Sequence, residues 1–295
     1  MNHIERIQRA LDFIEENILG DLPLESIARE ASFSVWHFQR IFGALVGESV
    51  RGYVRGRRLT LAARELAATG RKIGDIAWEH GFESQEAFTR AFRARFGKTP
   101  GECRRNGIES ARCIGRPRIT EEYLLQRFGG ITMEPTIKVL GEMNLVGLGK
   151  QFISILSPDA NSMQVLPMLW DQFNSRIDEI DNPVGQTCYG LCDALSPEMQ
   201  RTHEDEFYYM ACMAVESLEA IPEGMTARAI PEQKYAVFTH KGPLLRLGET
   251  MNYIYGSWRP NAPYEMSEGP DLELYDERFN PTAEDSEMDI LIPIK

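Results

Sequence analysis

The 295-residue sequence lacks several features that define whole classes of protein. No stretch of about 18 consecutive apolar residues occurs, so we expect no membrane-spanning helix. The opening segment MNHIERIQRALDF carries charges every few residues, where a signal peptide needs an unbroken apolar core. The five cysteines form an odd set without a Cys-x-x-Cys pair, which is typical of reduced thiols. These absences favour a cytoplasmic protein.

Motifs of common catalytic and metal sites are also missing. No GxSxG, HExxH, GxGxxG or GxxxxGK(S/T) pattern occurs, and the five histidines have no metal-ligand spacing. Cys188 and Cys192 could be taken as a metal pair, but buried thiols are the favoured interpretation. The sequence therefore predicts no catalytic residues, no metal site and no cofactor.

The charge is distributed unevenly along the chain. The net charge of the whole is -12, yet residues 1–120 hold 20 Lys and Arg against 15 Asp and Glu, while residues 121–295 hold 12 against 29. Eighteen of the twenty N-terminal cations are arginine, whose planar guanidinium suits phosphates and guanine edges. The two parts of the chain are thus expected to meet different partners.

A helix-turn-helix pattern occurs twice in the N-terminal third. Apolar residues at spacings of three and four predict helices over residues 4–18 and 24–31, and Ser34 is placed to cap a third helix. The last two helices return 49 to 50 residues later, which is an internal repeat. The matched positions are Ile27-Ala28 with Ile76-Ala77, Phe33 with Phe82, Phe38 with Phe88, Arg40 with Arg90, Phe42 with Phe92 and Gly47 with Gly97.

In each copy, phenylalanines four residues apart anchor the second helix inward and leave polar side chains outward. An outward face rich in Gln, Thr and Arg suits the major groove of DNA. The predicted DNA-contacting residues are Trp36, Gln39 and Arg40 in the first copy and Gln85, Glu86, Thr89, Arg90 and Arg93 in the second. Between the copies, residues 49–69 predict an Arg-rich helix of roughly 30 Å, close to the ~34 Å between successive major-groove faces. Arg57 on this helix is predicted to contact the DNA backbone.

Residues 5–105 resemble the DNA-binding domain of the AraC/XylS family. The resemblance is carried by Ile76-Ala77, Gly81-Phe82, Ser84-Gln85, Phe88-Thr89-Arg90-Ala91-Phe92, Phe96-Gly97 and Thr99-Pro100. It implies an all-α domain over residues 1–107, made of two helix-turn-helix units joined by a linker helix. The chain departs from the family pattern at Cys103, where Tyr is usual, and at Pro23, where a Ser or Thr N-cap is common.

A different organisation is predicted after this domain. Periodicity fades over residues 108–130, which we interpret as a linker. Residues 131–295 predict an α+β domain built from two strand-helix-strand-strand units. The predicted strands cover residues 136–143, 145–153, 185–194, 206–215, 227–242, 271–279 and 288–295, and the predicted helices cover 163–180 and 244–255.

This second part resembles the GyrI-like effector-binding domain. The resemblance is carried by the segment KYAVFTHKGP, the strand Leu272-Glu273-Leu274-Tyr275 and the ending Ile290-Leu291-Ile292-Pro293-Ile294. It implies an aromatic-lined pocket for amphipathic, often cationic, small molecules, with Glu273 at its base. Alternation along a strand puts Tyr275 on the same face as Glu273, and aromatic rings attract cations. The other predicted ligand-binding residues are Trp170, Tyr189 and Tyr209.

Together, the two resemblances imply a cytoplasmic transcription regulator. We expect it to bind an asymmetric, bipartite site on double-stranded DNA, to respond to a small, amphipathic, cationic effector and to act through RNA polymerase. The alternative is that the C-terminal domain is a small-molecule hydrolase or a gyrase-inhibitor-like protein-interaction module fused to a DNA-binding domain.

Overall fold

The computed structural model describes residues 3–107, 113–120, 123, 134–154, 159–196, 198–203, 205–265 and 267–295. The chain divides into two compact units, Met1–Tyr123 and Leu124–Lys295. Of the predicted linker over residues 108–130, only residues 113–120 and 123 are among those described. The predicted start of the second domain at residue 131 lies outside them.

The first unit is built from helices, as the apolar spacing predicts. They are α1 (His3–Glu16), α2 (Leu24–Glu30), α3 (Val35–Val46), α4 (Val50–Ala68), α5 (Ile73–Glu79), α6 (Gln85–Phe96) and α7 (Pro100–Asn106). In α1 the apolar stripe of Ile7, Leu11 and Ile14 is fully buried, because these residues recur on one side of the helix. The all-α prediction for this region is confirmed.

The internal repeat is visible in the helix caps. The Ser34 side chain accepts a hydrogen bond from the His37 amide at the start of α3, and Ser84 does the same for Ala87 in α6. Both helices end at a glycine in the left-handed region, Gly47 with φ 83° and Gly97 with φ 71°, where a side chain would be strained. The same local rules thus start and stop both helices, 50 residues apart.

Part of the predicted linker packs against the first unit. The Ile114 amide donates to Thr60 Oγ1 on α4 at 3.1 Å, and the Ile119 amide donates to Gln8 Oε1 on α1 at 2.9 Å. Arg116 forms an ion pair with Asp12 on α1 at 2.5 Å. Residues 113–120 therefore belong structurally to the helical unit.

The second unit contains an eight-stranded antiparallel sheet with helices. Its strands are β1 (Thr136–Leu140), β2 (Met143–Ile153), β3 (Pro183–Asp193), β4 (Glu206–Val215), β5 (Thr226–Ile230), β6 (Gln233–Lys241), β7 (Asp271–Tyr275) and β8 (Glu287–Ile294). Its helices are α8 (Ser162–Asn174), α9 (Leu247–Tyr253), a π-helical turn (Ile254–Trp258) and α10 (Arg259–Asn261).

The strand order reveals two equivalent halves. The order is β1-β6-β8-β7-β3-β4-β2-β5. When β1 to β4 are exchanged for their counterparts β5 to β8, the same order is read from the opposite edge of the sheet. The predicted α+β class with its repeated unit is confirmed. Each half has two strands before its helix, where the strand-helix-strand-strand unit has one; in the second half the additional strand was not among the predicted ranges. The predicted strand over residues 227–242 is two strands, β5 and β6, separated at Pro231, which lacks the amide that a continuous ladder needs.

The helices and the main apolar cluster of this unit use opposite faces of the sheet. Phe238 of β6 packs on Trp258 beyond α9, with ring centres 4.8 Å apart. The other face carries Leu145, Leu191 and Leu272, each fully or almost fully buried in one cluster. This second face forms the apolar interior of the sheet. Glu273 of β7 lies on the opposite face, where Trp170 of α8 reaches its hydrogen-bond partner Tyr209.

Candidate DNA interface and ligand site

Helix α6 presents a polar face to solvent. Phe88, Phe92 and Phe96 lie in the apolar core of the second helix-turn-helix unit, which turns the opposite side of the helix outward. The residues on that side are Gln85, Glu86, Arg90 and Arg93, which are exposed, and Thr89, which is half-buried. Such a face has the donors and acceptors that base edges and phosphates require.

The equivalent face of α3 is buried. The exposed fraction is 6% for Trp36 and 7% for Gln39, and the half-buried Arg40 holds its guanidinium 4.8 Å from the centre of the Trp36 ring. The prediction that Trp36 and Gln39 face outward is therefore wrong. A DNA contact by these residues stays a prediction.

The composition of α3 explains its burial. The helix VWHFQRIFGALV contains the single Arg or acidic residue Arg40, whereas QEAFTRAFRARF in α6 contains Glu86, Arg90, Arg93 and Arg95. A helix that is apolar around most of its circumference is stable when several of its sides are covered. The two copies of the repeat thus share a backbone and differ in the surface they present.

Arg57 of α4 is a structural residue in the first unit. Its side chain is 8% exposed and forms an ion pair with Glu15 of α1 at 2.6 Å. Arg57 Nη1 also donates to the Ile114 carbonyl at 2.6 Å. Arg57 was predicted to contact the DNA backbone, but the structure buries it, because its N–H donors bind Glu15 of α1 and the Ile114 carbonyl after α7.

Glu15 is held as a carboxylate by this arrangement. Burial alone raises the pKa of Glu15, but hydrogen bonds from Arg57 and from Tyr53 outweigh burial and leave the pKa below its ordinary value. The Tyr53 hydroxyl donates to Glu15 Oε1 at 2.6 Å. A charge-assisted network of this kind fixes the angle between α1 and α4.

In the second unit, Glu273 lies on β7 among hydroxyl donors. Tyr209 on β4 donates to Glu273 Oε2 at 2.6 Å, and Tyr275 donates to the same oxygen at 2.8 Å. Trp170 on α8 donates its indole N–H to the Tyr209 hydroxyl at 3.1 Å. Four of the predicted ligand-binding residues, Glu273, Tyr275, Tyr209 and Trp170, are thus in one hydrogen-bonded cluster.

Rings surround this carboxylate. The Trp170 ring packs edge-on against Tyr275 at a centroid distance of 4.9 Å, and Phe279 packs against the other side of Tyr275 at 4.6 Å. Burial raises the pKa of Tyr209 and of Tyr275 well above the ordinary value, and the charge of Glu273 raises both further. Both hydroxyls therefore remain protonated donors, and the site combines one carboxylate with aromatic walls.

Gly190 makes space for the cluster, and sequence reasoning missed it. It pairs with Glu273 across β3 and β7. A Cβ at Gly190 would lie 2.0 Å from the Tyr209 hydroxyl and 2.7 Å from Glu273 Oε2. A glycine inside a strand often marks the close approach of another group, and that signal was available in the segment Tyr189-Gly190-Leu191.

Tyr189 is not part of the cluster. It pairs with Leu274, so alternation along β3 and β7 directs it to the face opposite Glu273. There it packs against the apolar core of the curled sheet. The structure therefore does not bring Tyr189 together with the other predicted ligand-binding residues.

Cys188 and Cys192 lie on the same face of β3 as Gly190. Burial raises the pKa of the Cys188 thiol, which disfavours the thiolate that metals require. All five cysteines are free. Within the described ranges, no group of three or more His, Cys, Asp or Glu side chains could hold a metal ion.

Among the described residues, no helix is both long enough and apolar enough to cross a membrane.

Two families match the chain. Residues 133–295 match the GyrI-like small-molecule-binding domain, and residues 27–106 match a helix-turn-helix domain. The chain belongs to the AraC/XylS family of transcription regulators, with a C-terminal GyrI-like domain. The order of the two domains agrees with the charge asymmetry of the sequence.

Curated relatives cover either the whole chain or its first third. The transcriptional regulator Rob of Salmonella typhimurium is 28% identical over 98% of both chains. The regulatory protein SoxS of the same organism is 39% identical over 35% of this chain and 97% of its own length. Among solved structures, SAV2435 bound to tetraphenylphosphonium is 19% identical over 55% of this chain and 94% of that chain, with a TM-score of 0.43.

Proposed function

We propose that this regulator binds a specific double-stranded DNA site through its helical domain and that a small, amphipathic, cationic molecule bound beside Glu273 modulates its activity. It acts in the cytoplasm on transcription by RNA polymerase. The observation that supports an amphipathic, cationic ligand is the half-buried carboxylate of Glu273, which lies among the side chains of Tyr209, Tyr275 and Trp170.

The DNA part of the proposal is supported by α6. Its outward face offers Gln85, Arg90 and Arg93 to solvent, and the first 120 residues carry a net charge of +5 in a chain of net charge -12. Because two helix-turn-helix copies occur in one chain, a single protein molecule can cover two half-sites without twofold symmetry in the DNA. Selection of bound DNA from random sequences tests this, and a palindromic site that always binds two chains contradicts it.

The ligand part is supported by electrostatics. A carboxylate about 4 Å from a cationic centre is worth up to ~4 kcal/mol at an effective dielectric constant of 20. A cation that engages Glu273 competes with the two tyrosine hydrogen bonds and removes water, so we expect a net gain of about 1–3 kcal/mol. That gain corresponds to roughly 5- to 150-fold in affinity. The rings supply apolar contact and cation–π attraction.

Calorimetric titration tests the site. The probes are an aryl-substituted trimethylammonium ion and its neutral tert-butyl analogue, which has the same shape without the charge. Glu273→Gln keeps the size of the side chain and removes its charge. We expect it to weaken the cation by roughly 5- to 150-fold and to leave the neutral analogue nearly unchanged.

Glu277→Gln is the matched control, because Glu277 is exposed and lies two residues beyond Tyr275. It should leave both titrations unchanged. Equal losses for the charged and neutral probes at Glu273→Gln argue against a counter-charge role, and no loss for either places the binding site elsewhere. Mass analysis of the recovered probe distinguishes binding from hydrolysis, since only an enzyme returns product.

A further inference from the structure

Arg58 lies near the middle of α4, where this helix passes from the first helix-turn-helix unit to the second. The preceding turns of α4 pack on α1, through hydrogen bonds of Tyr53 and Arg57 with Glu15. The following turns, beginning with Leu59, belong to the core of the second helix-turn-helix unit. A side chain at this point is therefore placed to fix the angle between the two helix-turn-helix units.

The guanidinium of Arg58 contacts both units. Its Nε donates to the Ile18 carbonyl at 2.7 Å and its Nη2 to the Gly20 carbonyl at 2.6 Å, both in the turn that follows α1. Its Nη1 lies against Gly81 in the turn between α5 and α6, where a Cβ would be 2.6 Å away. Because the guanidinium is planar and rigid, this one side chain holds the two turns at a fixed separation.

The internal repeat explains why position 81 is a glycine. At an offset of 49 residues its counterpart is Ser32, which also has a positive φ, 54° against 77° for Gly81. The two turns have the same backbone hydrogen bond, since the amide of Ser32 donates to the carbonyl three residues earlier at 2.9 Å and that of Gly81 does so at 3.0 Å. The backbone of this turn therefore accepts a side chain, and the glycine makes room for Arg58.

The counterpart of Arg58 in the first copy is Arg9 of α1, at the same offset. Arg9 Nη2 donates to the Ser32 hydroxyl at 3.4 Å, and Arg9 Nε forms an ion pair with Glu30 at 3.6 Å. These contacts stay inside the first helix-turn-helix unit. The hydrogen bonds to the turn after α1 therefore distinguish Arg58 from its counterpart, because they reach from the second unit to the first.

We propose that Arg58 is a positioning residue that sets the spacing of the two DNA half-sites by fixing the two helix-turn-helix units relative to each other. The inference rests on the proposed function, because it concerns how two copies in one chain read one DNA site. Two hydrogen bonds of this kind favour the fixed arrangement by a factor of about 30. An ion pair of Glu48 with Arg95 at 3.7 Å also joins the units, but both side chains are 35% exposed, and such a pair contributes little.

The test measures how the affinity of the full chain for DNA depends on half-site spacing. A site selected from random sequence is remade with one base pair inserted between its half-sites, which shifts one half-site by roughly 3.4 Å and about 34°. Fluorescence anisotropy gives Kd for both sites and for a third site in which one half-site is scrambled. The variants are Arg58→Ala, Arg58→Lys and Gly81→Ser, and Arg9→Ala is the matched control from the first copy.

We expect the insertion to weaken binding of the wild-type chain by about 30-fold and that of Arg58→Ala by about threefold. Gly81→Ser displaces the guanidinium without removing it and should behave like Arg58→Ala. Arg58→Lys should lie between them and the wild type, because one ammonium group replaces a two-pronged donor. Arg9→Ala should keep the wild-type dependence, and every variant should bind the half-scrambled site within about twofold of wild type.

Circular dichroism checks that each variant is folded, and Gly81→Ser with Arg58→Lys decide the matter if Arg58→Ala is not. An equal loss on all three sites for Arg58→Ala makes Arg58 a phosphate contact and overturns the proposal. An unchanged dependence in Arg58→Ala and Gly81→Ser also overturns it, since α4 alone then fixes the units. A wild-type chain indifferent to the insertion overturns the positioning role and leaves specific DNA binding intact. A wild-type chain that selects no DNA sequence overturns the proposed function as well.

Discussion

Replacing Arg57 with methionine tests whether this arginine holds the helical unit together. The side chains of Arg57 and Glu15 are 8% and 9% exposed, so the replacement leaves a carboxylate buried without its main partner. Breaking a buried ion pair from one side costs about 3–5 kcal/mol. The hydrogen bond from Arg57 Nη1 to the Ile114 carbonyl is lost as well, at about 0.5–1.5 kcal/mol. We therefore expect the free energy of unfolding of the first unit to fall by at least about 3 kcal/mol.

Scanning calorimetry and helical circular dichroism of the full chain measure this loss. For a unit of this size each 1 kcal/mol lowers Tm by about 2–8 °C, so a fall of at least about 6 °C is expected. Arg55→Met is the control, because Arg55 lies on the same helix and is exposed. Combining Arg57→Met with Glu15→Leu removes both charges and should restore most of the stability.

Two results refute this reasoning. One is an Arg57→Met variant no less stable than Arg55→Met, and the other is a double variant as unstable as the single one. The pH dependence gives an independent check. Because the pKa of Glu15 lies below its ordinary value of 4.5, the pair stabilises fully above that pH, and its contribution is lost as the pH falls below it. Without Arg57, the group that lowers the pKa of Glu15 most is gone, so this loss of stability in acid should become weaker in the Arg57→Met variant.

Three further predictions concern the two candidate sites and the second unit. Gly190→Ala places a Cβ 2.0 Å from the Tyr209 hydroxyl and should abolish cation binding in calorimetry, whereas Gly248→Ala, with no atom within 4 Å of the new Cβ, should not. Burial lowers the pKa of His240 below 6.5, so the second unit should lose stability in urea as the pH falls below that value, and His240→Asn should remove this dependence. Gln85→Ala should reduce discrimination among DNA sequences by about 1–3 kcal/mol in competition binding, and an equal loss for all sequences contradicts a base contact.

The helical unit was predictable because its rules are local. Ser84 and Gly97 bracket α6, and the phenylalanines between them fix which side faces inward. The same reasoning was wrong for α3, where Trp36 and Gln39 are buried. A pair of phenylalanines four residues apart identifies one buried side of a helix. It does not show that the opposite side is exposed. The near absence of charge from α3 was the available signal.

Arg57 illustrates a different limit. An arginine in an Arg-rich helix beside DNA-binding units has the sequence environment of a phosphate contact. Its partner, Glu15, lies 42 residues earlier and the Ile114 carbonyl lies 57 residues later. No local pattern identifies such a pairing, because it depends on how α1 and the segment after α7 pack against α4. Exposure, and not residue type, separates a structural arginine from one available to DNA.

In the ligand site, the pairing register of β3 with β7 determines which face of the sheet Tyr189 occupies. The alternation of side chains along one strand does not determine it. Alternation alone puts Glu273 and Tyr275 on one face of β7. It does not show whether Tyr189, on the other strand β3, lies on that face or on the opposite one. The pairing of Gly190 with Glu273 settles the choice, because it turns Tyr189 to the opposite face and leaves only a hydrogen atom beside the carboxylate. This pairing joins β3 to β7, the two strands at the centre of the repeated halves. Glu273 therefore comes from one half and Tyr209 from the other, so the cluster requires both halves to be assembled in register.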